Sequence, residues 1–180
     1  MWSRYVESGD MSSFETLFKK YYLQLTRFSW RFVKSKAIAE GIVQDFFTDL
    51  WENGEELNIN GTIRSYFFRA VRNRSLNQIK HQKVKNKYDR LWMEQNVNPI
   101  TVLRDEKREE QVKKAVEKAI ESLPERGKMI FKLHKFDGLT YKEIAEVMDI
   151  SVKTVESQMP RSLKMLREKL AYLCHLSLRS

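Results

Sequence analysis

The chain has 180 residues, 42% of them hydrophobic and 12% aromatic, enough for one ordinary domain or two small ones and too apolar for wholesale disorder. No apolar run approaches the roughly 20 residues of a membrane span, and "MWSRYVESGD" lacks the apolar stretch of a signal peptide, so a cytoplasmic protein with no membrane insertion of its own is expected. The net charge of +9 is concentrated: Leu57 to Tyr88 holds no acid, while Arg64, Arg69, Arg72, Arg74, Lys80, Lys83, Lys85 and Lys87 supply +8 of it, the footprint of a polyanion-binding face.

Ser12 and Glu15 have the spacing of a capping box at the start of a first helix. Phe14, Leu17, Phe18, Tyr21, Leu25, Phe28 and Phe32 then recur every three or four residues and mark its apolar face. A second helix is predicted from about Lys36 to Glu52. Its buried stripe is Ile38, Ile42, Val43, Phe46, Phe47, Leu50 and Trp51, and its opposite face is acidic, with Glu40, Asp45, Asp49 and Glu52. The Asn-Gly pairs of "NGEELNING" predict a loop. A third helix, from about Thr62 to Lys83, carries the basic block together with Tyr66, Phe67 and Phe68.

Periodicity fades after Tyr88, and "QNVNPI" breaks any helix, so residues 88–110 read as a linker in which Leu91, Trp92 and Leu103 are the groups able to dock. Helical spacing returns at Gln111 with Val112, Val116, Ile120 and Leu123 and stops at Pro124. A short helix is predicted from about Arg126 to Lys135, then a turn at Asp137-Gly138, then a second capping box at Thr140 and Glu143. No long stretch alternates with period two. The expectation is an all-α protein of two small helical domains, 1–87 and 111–180, joined by the linker. The single cysteine, Cys174, lies in an apolar helical stretch and reads as a buried inert thiol.

Leu139 to Leu163 has the anatomy of a helix-turn-helix. "TYKEIAEVM" is a short helix with Ile144, Ala145 and Met148 facing inward, "DIS" is the turn, and Ser151 caps a second helix with Val155 beneath the first. In this motif the N-terminal residues of the second helix touch base edges, which nominates Lys153, Thr154, Glu156, Ser157 and Gln158. Glu156 can accept from cytosine, Gln158 can pair with adenine, and Lys153 can reach guanine or phosphate, with Arg161 and Lys164 near the phosphates. Pro160 lies about nine residues past the cap, so its strain is expected behind the reading surface. Because Met159, Leu163, Leu166, Leu170 and Leu173 keep one apolar seam across it, a kinked continuous helix is expected rather than a break.

Taken in order, these segments resemble the extracytoplasmic-function sigma factors, the compact two-domain branch of the sigma-70 family. "SGDMSSFETLFKKYY" resembles the family's opening helix, "AEGIVQDFFTDLWE" its polymerase-binding helix, and "SYFFRAVRNRSLNQIK" the helix that recognises and melts the minus-ten element. "SLPERGKMIFKLHKFDGLTYKEIAEVMDISVKTVESQMPRSLKMLREKL" resembles the domain that binds the minus-thirty-five element. The resemblance implies an alternative sigma factor that binds core RNA polymerase through Gln44, Asp45, Asp49 and Glu52. It implies minus-ten contacts from Arg64, Tyr66, Phe68, Arg69, Arg72, Asn73 and Lys80, with Asn73 lining a pocket for a flipped base. Tyr66 and Phe68 are open to either a stacking or a core role, and Phe67 reads as core. The minus-thirty-five contacts would come from Ser151, Lys153, Thr154, Glu156, Ser157, Gln158, Arg161 and Lys164. Promoter DNA and an anti-sigma factor, often membrane-bound in this family, are the further partners implied. Gly41 stands where the family usually has an acid.

An enzyme is not expected. His81, His134 and His175 are scattered, and there is neither a Cys/His cluster nor a Gly-rich phosphate loop, so no cofactor or metal is anticipated. His134 reads as a half-buried packing residue beside Phe131. The remaining alternative is a helix-turn-helix regulator without a polymerase-subunit role. The response-regulator form of that alternative would need an α/β receiver with clustered aspartates, which the all-helical first half lacks.

Overall fold

A computed structural model describes residues 11–53, 59, 61–85 and 106–177, with side chains left undescribed at 83–85, 106–111 and 172–177. The elements are α1 (Met11–Val33), α2 (Lys36–Asn53), α3 (Ile63–Lys85), α4 (Glu106–Glu121), α5 (Glu125–Lys135), α6 (Tyr141–Met148) and α7 (Val152–Ser177). Among the described residues every regular element is a helix. They fall into two compact units, one built on α1–α3 and the other on α4, α5 and α7 with the start of α6.

In the first unit each helix packs against the other two. The predicted stripes supply the core: Leu17, Tyr21, Leu25 and Phe28 of α1, Ile42, Val43, Phe46, Phe47 and Leu50 of α2, and Phe67, Phe68 and Val71 of α3 are all buried. Phe67 meets Tyr21, Phe46 and Phe47 with ring centroids 5.2, 5.0 and 5.9 Å away in edge-on geometry, which suits aromatic quadrupoles. A polar contact also crosses this core, a hydrogen bond of 2.9 Å between the buried Ser29 and Ser75 hydroxyls.

Two expectations fail here. Ser12 lies inside α1 rather than at its cap, and Glu15 pairs with Lys19 one turn later at 2.5 Å. Trp51 is 44% exposed, because it closes the end of the α2 stripe where its ring leans edge-on against Phe14.

The second unit packs α7 against α5 and α4. Helix α4 begins at Glu106, five residues before the predicted start. "EKREE" consists of good helix formers without an apolar residue, so periodicity could not register it. Leu91, Trp92 and Leu103 lie outside the described residues, as do Lys87 and the Cys174 side chain. The short α6 is held by the predicted reciprocal cap. The Thr140 N–H donates to Glu143 Oε2 at 2.9 Å and the Glu143 N–H to Thr140 Oγ1 at 3.3 Å. Ile144 and Ala145 are buried as expected, whereas Met148 is only half-buried and Val147 is fully buried. The turn that follows is a Schellman closure. Asp149 takes the left-handed conformation (φ 55°), and the Ile150 N–H donates to the Ala145 carbonyl at 3.0 Å. His134 is half-buried, with Nδ1 2.9 Å from the Leu139 carbonyl and its ring against Tyr141.

A charge cluster fixes the α4–α5 corner. Glu121 sits at the C-terminus of α4, where the helix dipole disfavours an anion. Lys132 at 2.6 Å and Lys128 at 3.3 Å, both from α5, offset that, and Lys128 also reaches Glu125 at 2.8 Å. The Lys132 hydrogen bond, more than any other cause, holds the Glu121 carboxyl below its ordinary value, and the Glu125 hydrogen bond raises Lys128 above its own. For Glu121 the folded value lies below the unfolded one. Its contribution is therefore complete above the ordinary value of 4.5 and is lost as pH falls through the lowered folded value. Glu121→Gln should flatten the acid limb of the stability profile while shifting neutral-pH stability by under ~1 kcal/mol, since the carboxylate is 62% exposed. Urea midpoints at pH 7 and pH 3 for both proteins provide the check; an acid limb as steep in Glu121→Gln as in the parent would remove Glu121 from it.

Two helical glycines are opposites. A Cβ on Gly127 would stand 2.6 Å from Ser162 Oγ, where α5 crosses α7, whereas one on Gly41 would meet nothing within 4 Å. Gly127→Ala should therefore cost about 1–3 kcal/mol by overpacking. Gly41→Ala should gain ~0.5–1 kcal/mol from helix propensity. Urea unfolding of the two variants would expose either error, most plainly if both shift the midpoint in the same direction.

Candidate nucleic-acid interface

The start of α7 is built by its cap. The Thr154 N–H donates to Ser151 Oγ at 3.1 Å, and the Ser151 and Thr154 hydroxyls share a hydrogen bond of 2.8 Å, so both side chains are committed to holding the helix end. Ser157 donates its hydroxyl to the Thr154 carbonyl at 2.9 Å and stays exposed. Lys153, Glu156 and Ser157 are exposed on the first two turns, with Arg161 and Lys164 exposed beyond them. Val155 and Met159 are buried on the opposite side.

Gln158 is the exception among the base-reading candidates. It is half-buried, and its Oε1 lies 3.8 Å from the space that a Gly127 side chain would fill, so it is turned toward α5. The cause is helical phase: Gln158 precedes the buried Ser162 by four residues. Gln158 is thus less open to a base edge than Lys153, Glu156 and Ser157. Val152, 39% exposed at the first helical position, is the apolar group that charge-and-amide reasoning overlooked.

Pro160 does not break α7, which runs unbroken from Val152 to Ser177. Pro160 is exposed, and its spacings of seven from Lys153 and four from Glu156 put it on the same side of the helix as the outer residues, one turn further along. On that side the ring is exposed, and the residue whose carbonyl it deprives of an amide donor, Glu156, is exposed as well. That is how a helix tolerates an interior proline.

On α3, Arg69, Asn73 and Lys80 are exposed, while Arg64, Tyr66 and Arg72 are half-buried. Phe68 is fully buried, its ring 4.9 Å from that of Phe28, so its core role is the one observed and it cannot stack on a base without opening the unit. Leu76, 39% exposed, shares the outer face. Arg74 does not. Its Nη2 lies 2.5 Å from Asp49 Oδ2, and its guanidinium stands 5.8 Å from the Phe46 ring centre. Of the α2 stripe, Gln44, Asp45, Asp49 and Glu52 are all exposed. Two shallow pockets flank α2. One of ≈ 170 Å³ is lined by Phe46, Asp49, Leu50, Asn53, Tyr66 and Arg74, and Asn73 is not among its walls. The other, of ≈ 280 Å³, is lined by Phe14, Phe18, Gln44, Phe47, Thr48 and Trp51.

Among the described residues no group of His, Cys, Asp and Glu is placed to hold a metal ion, and no helix is long and apolar enough to cross a membrane. What the two units present is a pair of helical faces, one cationic and one polar at a helix start.

Comparison with known families follows the same division. Residues 17–84, the first unit, match Sigma-70 region 2, and residues 113–166, most of the second, match Sigma-70, region 4. The chain belongs to the sigma-70 family. It is 27% identical over 173 residues to the ECF RNA polymerase sigma-E factor of Haemophilus influenzae, covering 92% of this chain and 91% of that one. It is 25% identical over 176 residues to the sigma-E factor of Escherichia coli K12, covering 91% and 90%. Among solved structures it shares its fold with the sigma factor RpoE of Bartonella quintana, at TM-score 0.67 and 17% identity over 89% of this chain and 98% of that one. CnrH gives TM-score 0.60 and 18% identity over 97% and 96%. The protein is thus an alternative sigma factor of the extracytoplasmic-function type, acting in promoter recognition and transcription initiation with core RNA polymerase.

Replacing Pro160 in this sigma factor with alanine should restore a backbone bond and raise the thermal midpoint, by less than the ~3 kcal/mol cost of an interior proline because the native helix has adapted to it. Thermal unfolding checks the gain, and an unchanged or lowered midpoint would mean that the ring is favourably packed.

Proposed function

We propose that the sigma factor divides its work between two helical faces and one acidic stripe. Gln44, Asp45, Asp49 and Glu52 on α2 dock on core polymerase. Arg64, Arg69, Arg72, Asn73 and Lys80 on α3, with Tyr66 beside them, hold the minus-ten strand. Lys153, Glu156 and Ser157, with Arg161 and Lys164 on the phosphates, address the minus-thirty-five duplex. Ser151 and Thr154 contribute by building the helix end that presents these groups. The observation that carries the reading is the order within one chain: a region 2 unit with a cationic helix, then a region 4 unit with a capped helix-turn-helix.

The chemistry of each face supports the division. A melted strand exposes phosphates and unstacked bases together, and cations interleaved with an aromatic suit it. A capped helix start with short polar side chains suits base edges in a major groove. On this reading the protein is a binding subunit with no catalytic site, it acts in the cytoplasm, and an anti-sigma factor controls it. The last point is supported by the structural relatives, since RpoE was solved in complex with the anti-sigma factor NepR and CnrH with the cytosolic domain of CnrY.

Transcription with purified core polymerase on genomic DNA, with start sites mapped, tests the whole. New starts sharing two spaced elements are expected, and addition of the protein without any new start would sink the proposal. The regulator alternative predicts the opposite partition, with tight footprints by the isolated chain and no dependence on core polymerase. Asp45→Arg tests the stripe. Asp45 is exposed on the face opposite the core, so reversal should move stability by no more than ~0.5 kcal/mol while abolishing co-elution with core polymerase. Undiminished co-elution would take Asp45 out of the interface.

A further inference from the structure

Arg74 stands apart from the rest of the basic block. It follows Phe67 by seven residues, so it leaves α3 on the side that faces α2 and not on the side of Arg69, Asn73 and Lys80. There two contacts and a shared pocket converge. Arg74 Nη2 donates to Asp49 Oδ2 at 2.5 Å, its guanidinium stands 5.8 Å from the ring centre of the buried Phe46, and both residues wall the same shallow pocket. The side chain of Arg74 is 36% exposed and that of Asp49 53%. One carboxylate oxygen is thus occupied from inside the protein, while the Asp49 side chain as a whole stays half-exposed on the stripe.

We propose that Arg74 is a positioning residue for polymerase binding: it holds the Asp49 carboxylate in one orientation on the acidic stripe and takes no part in gripping DNA. This rests on the reading of α2 as the polymerase-facing helix. The physical basis is side-chain entropy. A lone aspartate on an exposed helix face samples several rotamers and must surrender them on docking, whereas one already tied to a guanidinium has surrendered them. The Phe46 ring serves as the backstop that keeps the guanidinium in place, since cations are held over aromatic faces. A half-exposed ion pair of this kind contributes little to folding, so its effect is expected mainly in binding.

The test uses full-length protein and core polymerase, measuring the polymerase dissociation constant and, for the assembled holoenzyme on promoter DNA, the slope of log affinity against log salt. Arg74→Gln should weaken polymerase binding about two- to tenfold, the range expected for one unfixed side chain, and leave the salt slope unchanged. Arg74→Lys, which keeps a cation within reach of Asp49, should recover most of the loss. Arg72→Gln should instead make the salt slope shallower by about 0.7–0.9, the amount for one phosphate contact. The exchanged pair Asp49→Arg with Arg74→Asp preserves the interhelical attraction with its sign inverted, so it should recover stability to urea but not polymerase affinity. If Arg74→Gln flattens the salt slope as Arg72→Gln does, the side chain binds DNA and the proposal is wrong. Full recovery of polymerase affinity in the exchanged pair would reduce the contact to a staple between helices and overturn it equally. Should Asp49→Asn leave polymerase affinity intact while Asp45→Arg abolishes it, the stripe reading survives and the positioning role of Arg74 does not. Should neither substitution matter, the stripe reading has failed first.

Discussion

The first unit depends on Phe67. Its ring lies where α1, α2 and α3 meet, edge-on to Tyr21, Phe46 and Phe47, and it anchors the one helix that has most reason to leave. Helix α3 bears Arg64, Arg69, Arg72, Arg74 and Lys80 with no acid of its own, and like charges along a helix oppose its formation. Burial of Phe67, Phe68 and Val71 supplies what that repulsion removes. The cationic face exists because an aromatic face beneath it is buried well enough to tolerate the charge.

The second unit solves a different problem with different means. Helix α6 has eight residues, too few to be stable alone, and α5 has eleven. Local hydrogen bonds do what length cannot: the Thr140–Glu143 box opens α6, the Asp149 turn closes it, and Ser151 opens α7. Each junction is fixed within a few residues of sequence, so the angle between the two helices of the motif is set before any DNA is present. The Gly127–Ser162 crossing then brings α5 hard against the side of α7 that carries Gln158 and Ser162.

Legibility followed the kind of interaction. Among the described residues the order of the helices, the aromatic core and the capping box at Thr140 were readable because they repeat at helical spacing or sit in a fixed local pattern. The start of α4 was not, since a helix stabilised by charged residues leaves no apolar rhythm. Phe68 was left open and Trp51 was placed in the core by mistake, for a related reason. Periodicity says that a ring faces inward but not where the core ends, and Trp51 lies at that end while Phe68 lies well inside. The partner of Arg74 was out of reach altogether, because the pair joins residues 25 apart on different helices. Gln158 looked like a fully exposed residue by type, and only the position of α5 shows that its side chain is half-buried toward that helix.

The Ser29–Ser75 contact has a direction. The Ser75 hydroxyl has one hydrogen, and it is donated to the Val71 carbonyl at 2.8 Å. In the 2.9 Å contact with Ser29, therefore, Ser29 is the donor and Ser75 the acceptor. The dependence runs one way. Loss of the Ser29 hydroxyl leaves Ser75 with its own hydrogen still placed, whereas loss of the Ser75 hydroxyl strands a donor in the middle of an aromatic core. Position 75 is consequently the more demanding of the two, and loss of its hydroxyl costs least where position 29 carries none.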